Sequence, residues 1–335
     1  MSSPSVSIII PTYNRVEELK RTLGGVLRQS HLPLEVLIVD DSTTDEVEKA
    51  VESLRSEFTA KSIALVYLRN QREKSATIAR NVGASASRGD LLMFLDDDVL
   101  LEPDYVTGIL DVLRSHPCAK GVQGFRKDTP KLTISFRLLN AFDRMFLLFG
   151  YAKDRCGMMR SFNQIYPHTL TGVVECQWLS GCNHAYVRSV FEEFMFDEKL
   201  KRYTLGEDLD LSYRVHKKYP GSLYITPSSR YTHLYTPSSR APRKELAYIQ
   251  SVYMEYLFRK NIPQTLVNKT AFSWSRLGRA TQAIIRRSKS RLTGEPHGQV
   301  LLSFRDLLGA YKYCREHREE IRKGDLGFIS EYQGY

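Results

Sequence analysis

The sequence predicts an α/β fold, a mostly parallel sheet with helices on both faces, extended by a helical and basic C-terminal segment. Three observations point there. Short β-branched runs alternate with amphipathic helical patterns in the first third of the chain. The polar clusters of that region all fall at the carboxyl ends of the runs. Residues 241–335 then change character, with 17 Lys and Arg against 9 Asp and Glu. Strand followed by helix, repeated, implies right-handed crossovers in one sheet. Ligands of such sheets bind at the carboxyl ends of the strands.

The elements follow in order. Residues 7–11, with three consecutive isoleucines, are a buried strand, and 16–29 have the spacing of a surface helix. Residues 34–39 are a second strand with a helix running to 58. Residues 63–68 are a third strand, 75–87 a helix and 91–95 a fourth strand. At the strand ends sit Thr12, Tyr13 and Asn14, then Asp40 and Asp41, then Asp96, Asp97 and Asp98. The alternation stops between about 130 and 172, where an aromatic-rich stretch at 136–151 is an insertion. Regular structure resumes near 173, with a helix over 206–219, a strand over 222–226 and three helical segments in the basic tail. The expected organisation is thus one domain over 1–240, interrupted at 130–172, and an extension over 241–335.

Composition narrows the function. The 335 residues are 42% hydrophobic and 26% charged, as in a folded globular protein. The strictly apolar runs, such as 145–149, fall far short of the roughly 20 residues that span a bilayer. The N-terminus has no secretory pattern, so the expected location is cytoplasmic. Five cysteines without a Cys-x-x-Cys pair speak against a disulfide framework or a zinc site. The net charge of +10 seeks phosphate, on lipid, nucleic acid or nucleotide. No helix-turn-helix, RNP or zinc-finger pattern supports nucleic acid, and neither Gly-x-Gly-x-x-Gly nor a P-loop motif occurs.

Three adjacent carboxylates at the mouth of a sheet repel one another unless a cation sits among them. A hard divalent ion, Mg²⁺ or Mn²⁺, resolves the conflict by taking one or two of them together with substrate phosphates. The triplet also has company. The segments Ser7-Ile8-Ile9-Ile10-Pro11-Thr12-Tyr13-Asn14-Arg15, Val39-Asp40-Asp41-Ser42, Ala79-Arg80-Asn81-x-Gly83, Phe94-Leu95-Asp96-Asp97-Asp98 and Gly206-Glu207-Asp208-x-Asp210-Leu211 occur in that order. Over about residues 5–235 the chain resembles the family-two glycosyltransferases, which have the GT-A fold and invert the anomeric centre.

The resemblance implies roles. Pro11, Thr12, Tyr13 and Asn14 line the base and ribose of a nucleotide-diphosphate sugar, Asp40 hydrogen-bonds the base, and Arg80 faces the base or diphosphate. Asp96 approaches the ribose, Asp97 lies between it and Asp98 and tunes the field, and Asp98 binds the Mn²⁺ or Mg²⁺. Asp208 is the catalytic base, flanked by Glu207 on the acceptor side. Trp178 offers an aromatic face to the acceptor sugar, or packs in the core. His233 binds metal or diphosphate, and Arg240 and Arg243 neutralise the departing diphosphate. The acceptor is a glycan or lipid-linked hydroxyl, in cell-surface polysaccharide or lipopolysaccharide synthesis. The alternative is a catalytically idle sugar-nucleotide binder or scaffold. In the tail, Trp274, Leu277, Ile284, Ile285 and Leu292 share one helical face and Arg276, Arg279, Arg286 and Arg287 the other. This pattern fits either docking on the anionic inner face of the cytoplasmic membrane or packing on the catalytic domain.

Overall fold

The computed structural model describes residues 3–234, 243–293 and 303–329, with side chains left aside at 243 and 286–293. Arg240 thus lies outside the described residues, as do the side chains of Arg243, Arg286, Arg287 and Leu292. The chain divides into two compact units: 1–129, 153–156 and 167–239 form the first, and 130–152, 157–166 and 240–335 the second.

In the first unit the chain runs β1 Val6–Thr12, α1 Val16–Leu27, β2 Glu35–Asp40, α2 Glu46–Ala60, β3 Ala64–Arg69, α3 Ala76–Ala86 and β4 Leu91–Leu95. It continues with β5 Val99–Leu101, α4 Tyr105–Ser115, β6 Gly121–Arg126, β7 Val174–Cys176, β8 Asn183–Val187, α5 Glu207–Lys218 and β9 Leu223–His233. The strands form one sheet in the order β7-β9-β6-β8-β4-β1-β2-β3, with β5 added on β9. β1 lies between β2 and β4, parallel to both, with Ile8 opposite Val36 and Met93. Alternation of side chains explains the layers. Val6, Ile8 and Ile10 join the core that Leu19 and Leu23 of α1, Val47 and Val51 of α2 and Val106 and Ile109 of α4 complete. Ile9 points to the opposite face, under α3.

That packing explains Gly83 of the third motif. A Cβ at residue 83 would stand 2.4 Å from Ile9 Cγ2 and 3.2 Å from Val39 Cγ2, so helix and sheet approach closely only because residue 83 has no side chain. Gly83→Ala is expected to destabilise the protein by about 1–3 kcal/mol through overpacking, measured by urea unfolding. A variant with an unchanged urea midpoint would show that α3 can move away at no cost.

Strands β5, β6, β7 and β8 and helix α4 were not foreseen, and β9 is longer than expected. β8 enters antiparallel between β4 and β6. β9 outruns the expected 222–226: it pairs parallel with β6, breaks register between Thr226 and Arg230, and ends antiparallel to β5 with His233 opposite Val99.

A three-stranded sheet of Gly150–Lys153, Gln164–Thr169 and Gly157–Met158, not foreseen, stands in the insertion, and the second unit has the helices Ile134–Met145, Arg243–Asn261, Leu266–Thr293, Phe304–Glu316 and Arg318–Lys323. Its core is Ala247, Ile249, Val252, Tyr253 and Leu257 on one helix with Leu307, Ala310 and Cys314 on another. Of the two placements its pattern fits, the Leu266–Thr293 helix does not take the one with the apolar face packed inward. Arg276 forms an ion pair with Glu255 at 2.7 Å and stacks on Tyr311 at 4.0 Å, and Arg279 donates to Asn163 Oδ1 at 3.3 Å. Trp274, Leu277, Ile284 and Ile285 are exposed. Glu255 is buried, and a buried carboxylate must be paired, which draws Arg276 inward and turns the apolar face out. No helix among the described residues is long and apolar enough to cross a membrane.

Candidate active site

The site grows from the turn that ends β4. Leu91–Leu95 is wholly buried, and the next three residues are the Asp triplet. Asp97 points inward. Its carboxylate accepts from Thr12 Oγ1 at 2.8 Å and from Arg15 Nη1 at 3.0 Å, and its carbonyl accepts from Thr22 Oγ1 of α1 at 2.7 Å. Burial pushes its carboxyl up to about 7, against the pull of Arg15 and Thr12. Asp97 and Thr12, both expected among the donor contacts, here support the turn from beneath.

Asp98 turns the other way. One of its oxygens accepts from Arg15 Nη1 at 3.0 Å and the other lies 2.8 Å from His233 Nε2. The ladder between β5 and β9 makes this meeting across 135 residues, and Leu234 N donates to the Asp98 carbonyl at 2.8 Å beside it. Asp96, Asp98 and His233 each present one ligand atom, all within 4.8 Å of one another. Burial alone would lower the pKa of His233. The hydrogen bond to Asp98 and the charges of Asp96 and Asp98 outweigh it, so the pKa lies above the ordinary histidine value. Two carboxylates and an imidazole at this spacing suit a divalent ion such as Mn²⁺ or Mg²⁺, so the residues present fit a metal.

Arg80 is 3% exposed. Its Nη1 donates to Glu207 Oε1 at 2.7 Å and its Nη2 to Asp96 Oδ1 at 2.9 Å. Burial works against the guanidinium's charge, but Glu207 and Asp96 raise its pKa still further. Expected against base or diphosphate, it is directed by α3 into a bridge between the triplet and the start of α5. Glu207, expected on the acceptor side, is the buried end of that bridge. Arg80→Met would strand two carboxylates and should cost about 3–5 kcal/mol. Loss of less than 1 kcal/mol in chemical denaturation would show that water replaces the bridge.

Asp208 lies in the first turn of α5, half-buried. Gly181 N donates to its Oδ2 at 2.7 Å and Leu209 N to its Oδ1 at 2.8 Å. Burial, then the charge of Glu207, raises its pKa above the usual carboxylate range. A Cβ on residue 181 would stand 3.3 Å from Asp208 Cβ and Oδ2, so a glycine lets the loop reach the carboxylate. His184 shapes that loop by donating from Nδ1 to the Ser180 carbonyl at 2.8 Å. It is neutral, its pKa pushed down to about 3 by burial and by Arg80. Trp178 is buried at 4% exposure, so of the two expected places its ring takes the core.

Tyr13 is half-buried, with Lys74 Nζ 2.9 Å from its ring centroid. Asn14 is exposed, takes a positive φ of 52°, and donates from its backbone to Ser42 Oγ at 2.8 Å. Pro11 is half-buried at the end of β1. Asp40 is fully buried, accepting from Ser42 N at 2.9 Å and Tyr67 Oη at 2.8 Å, with Arg69 at 3.2 Å. Asp40, expected to hydrogen-bond a base, here holds the edge together from within. Sequence reasoning assigned no role to Arg15, whose signal was its place at the end of the first motif, five residues past Ile10, or to Lys74.

Residues 7–168 match the family model for glycosyl transferase family 2. An uncharacterized glycosyltransferase of Haemophilus influenzae is 37% identical over 33% of this chain and 35% of its own length. TuaG of Bacillus subtilis, a candidate teichuronic acid biosynthesis glycosyltransferase, is 32% identical over 36% of this chain and 47% of its own length. The chain thus matches less than half of each relative. A mannosyltransferase from Pyrobaculum calidifontis, solved with GDP-Man and Mn²⁺, superimposes with a TM-score of 0.55 at 14% identity, over 96% of this chain and 88% of that one. The family match thus covers just under half of the chain, residues 7–168, and the fold is that of the GT-A glycosyltransferases.

Proposed function

We propose that this chain transfers a sugar, with inversion, from a nucleotide-diphosphate sugar to a hydroxyl of a glycan or lipid-linked acceptor, at the inner face of the cytoplasmic membrane. The setting is cell-surface polysaccharide or lipopolysaccharide synthesis, in line with the TuaG relative. The observation that carries the reading is the division of labour among carboxylates. Asp96 and Asp98 converge with His233 on one point, while Asp208, separately held, keeps a raised pKa and an open side.

Asp208 takes the proton of the acceptor hydroxyl as its oxygen attacks the anomeric carbon. The bond from that carbon to the diphosphate oxygen breaks, and the nucleoside diphosphate departs from the opposite side. Gly181 N–H and Leu209 N–H fix the orientation of the base. Asp96, Asp98 and His233 would hold a Mn²⁺ or Mg²⁺, which when bound neutralises the departing diphosphate. Arg80 keeps Asp96 in place. The two domains of the proposal are a catalytic one over 1–240, interrupted by the aromatic-rich insertion at about 130–172, and a helical, basic one over 241–335.

The test is release of nucleoside diphosphate across a panel of UDP-, GDP- and TDP-sugars, with Mn²⁺, with Mg²⁺ and with chelator. Metal-dependent release from one donor supports the reading. Tight donor binding without release, with and without candidate acceptors, would assign the chain to the catalytically idle binders.

A further inference from the structure

The helix Ile134–Met145 buries none of its residues, and Ile134, Leu138 and Met145 are 80%, 69% and 58% exposed. Their spacing puts them on one stripe of the helix. The Leu266–Thr293 helix is fastened beside it. Trp274 stacks on Phe146 with centroids 4.6 Å apart and donates from Nε1 to the Met145 carbonyl at 2.8 Å, and Gln282 Nε2 donates to Asp143 Oδ1 at 2.6 Å. On this second helix Trp274, Leu277 and Ile285 are also exposed. Six large apolar side chains on two joined helices make a patch of the kind that marks an interaction surface.

The charge around the patch selects the partner. The Leu266–Thr293 helix contains no Asp or Glu in its 28 residues, and the one acid of the shorter helix, Asp143, is engaged by Gln282. Arg137, Arg144 and Lys269 are exposed cations on these same helices. A second copy of the chain would bring like charges together. A lipid surface rich in anionic headgroups satisfies the cations while its acyl region receives the apolar stripe. The indole N–H already has its acceptor, so the Trp274 ring carries no unpaired donor into the lipid. We propose that the paired helices Ile134–Met145 and Leu266–Thr293 dock this protein on an anionic lipid surface. The proposal rests on the second unit and deepens the membrane location of the proposed function by naming the surface that docks, so its failure would leave the sugar-transfer chemistry untouched.

The experiment is co-sedimentation of the full chain with vesicles of phosphatidylcholine alone or mixed with phosphatidylglycerol, at low and high salt. Binding to the mixed vesicles that weakens with salt is expected. Arg137→Glu/Arg144→Glu should weaken it by about 30-fold or more, since each cation near such a surface is worth about fivefold in affinity. Leu138→Glu/Leu277→Glu changes only exposed positions and should abolish binding, with an unaltered circular dichroism melt and unaltered donor hydrolysis in solution. Absence of binding to mixed vesicles at low salt would overturn the proposal, as would full binding by the Leu138→Glu/Leu277→Glu variant. Sedimentation equilibrium covers the remaining occupant: a dimer that this same variant converts to monomer would assign the face to self-association and refute lipid docking.

Discussion

Asp208→Asn is expected to reduce sugar transfer by ~10²–10⁴-fold while leaving donor affinity unchanged, because general-base assistance is typically worth that much. Asparagine keeps the shape of the side chain, and its Oδ1 can still accept from either Gly181 N or Leu209 N, so the loop and the start of α5 stay in place. What disappears is the oxygen that takes the acceptor's proton. Transfer kinetics and donor titration on the same preparation separate the two effects. A loss below tenfold would move the base elsewhere, and Asp210 would not be next in line: it is fully buried and paired with Arg214 at 2.9 Å.

The pH profile of the unmodified enzyme tests the same residue. A base works deprotonated, so transfer falls as pH drops through its pKa. The raised pKa of Asp208 puts that acid limb above the ordinary carboxylate range. In Asp208→Asn this limb should vanish from the residual activity. An acid limb that persists in the variant would belong to another group.

The parts of the fold that local pattern encodes were legible in advance. The isoleucine run of β1, the amphipathic period of α1 and the apolar run before the triplet each carry their own signal, and the strand–helix alternation orders them. β8 and the far end of β9 carry none, because their places depend on pairing with β4, β6 and β5, and such pairing leaves no local mark in the sequence. The site divides in the same way. The chemical type of Asp98, His233 and Asp208 showed in their motifs. The direction in which Asp97, Arg80 and Asp40 point did not, since it is set by Thr12, Glu207 and Tyr67, partners 27 to 127 positions away. Nor does a helical wheel show which face turns inward. The buried carboxylate of Glu255 decides that for Arg276.

The second large effect is expected at Asp98, and its signature should be opposite to that of Asp208. Asp98→Asn keeps an acceptor for Arg15 but removes the charge that a divalent cation needs, so Mn²⁺ affinity should fall sharply and turnover with it, by about 10²–10³-fold if the ion contributes several kcal/mol to the departing charge. Titration of Mn²⁺ by electron paramagnetic resonance reads the affinity without any turnover. A third readout lies in the imidazole. The His233 pKa is raised partly by the Asp98 hydrogen bond and charge, so in metal-free protein it should drop in Asp98→Asn, visible as an earlier midpoint in a histidine NMR titration. Lowering pH protonates His233 and weakens metal binding, so in the unmodified protein Mn²⁺ affinity should decline as pH falls through that raised value. Asp208→Asn should change neither the Mn²⁺ titration nor the His233 midpoint. Full activity of the unmodified enzyme in excess chelator would remove the metal from the mechanism. If Asp98→Asn instead bound Mn²⁺ as the parent does, the ion would have to sit away from Asp96, Asp98 and His233, and their convergence would be an ion-pair cluster held by Arg15 and Arg80.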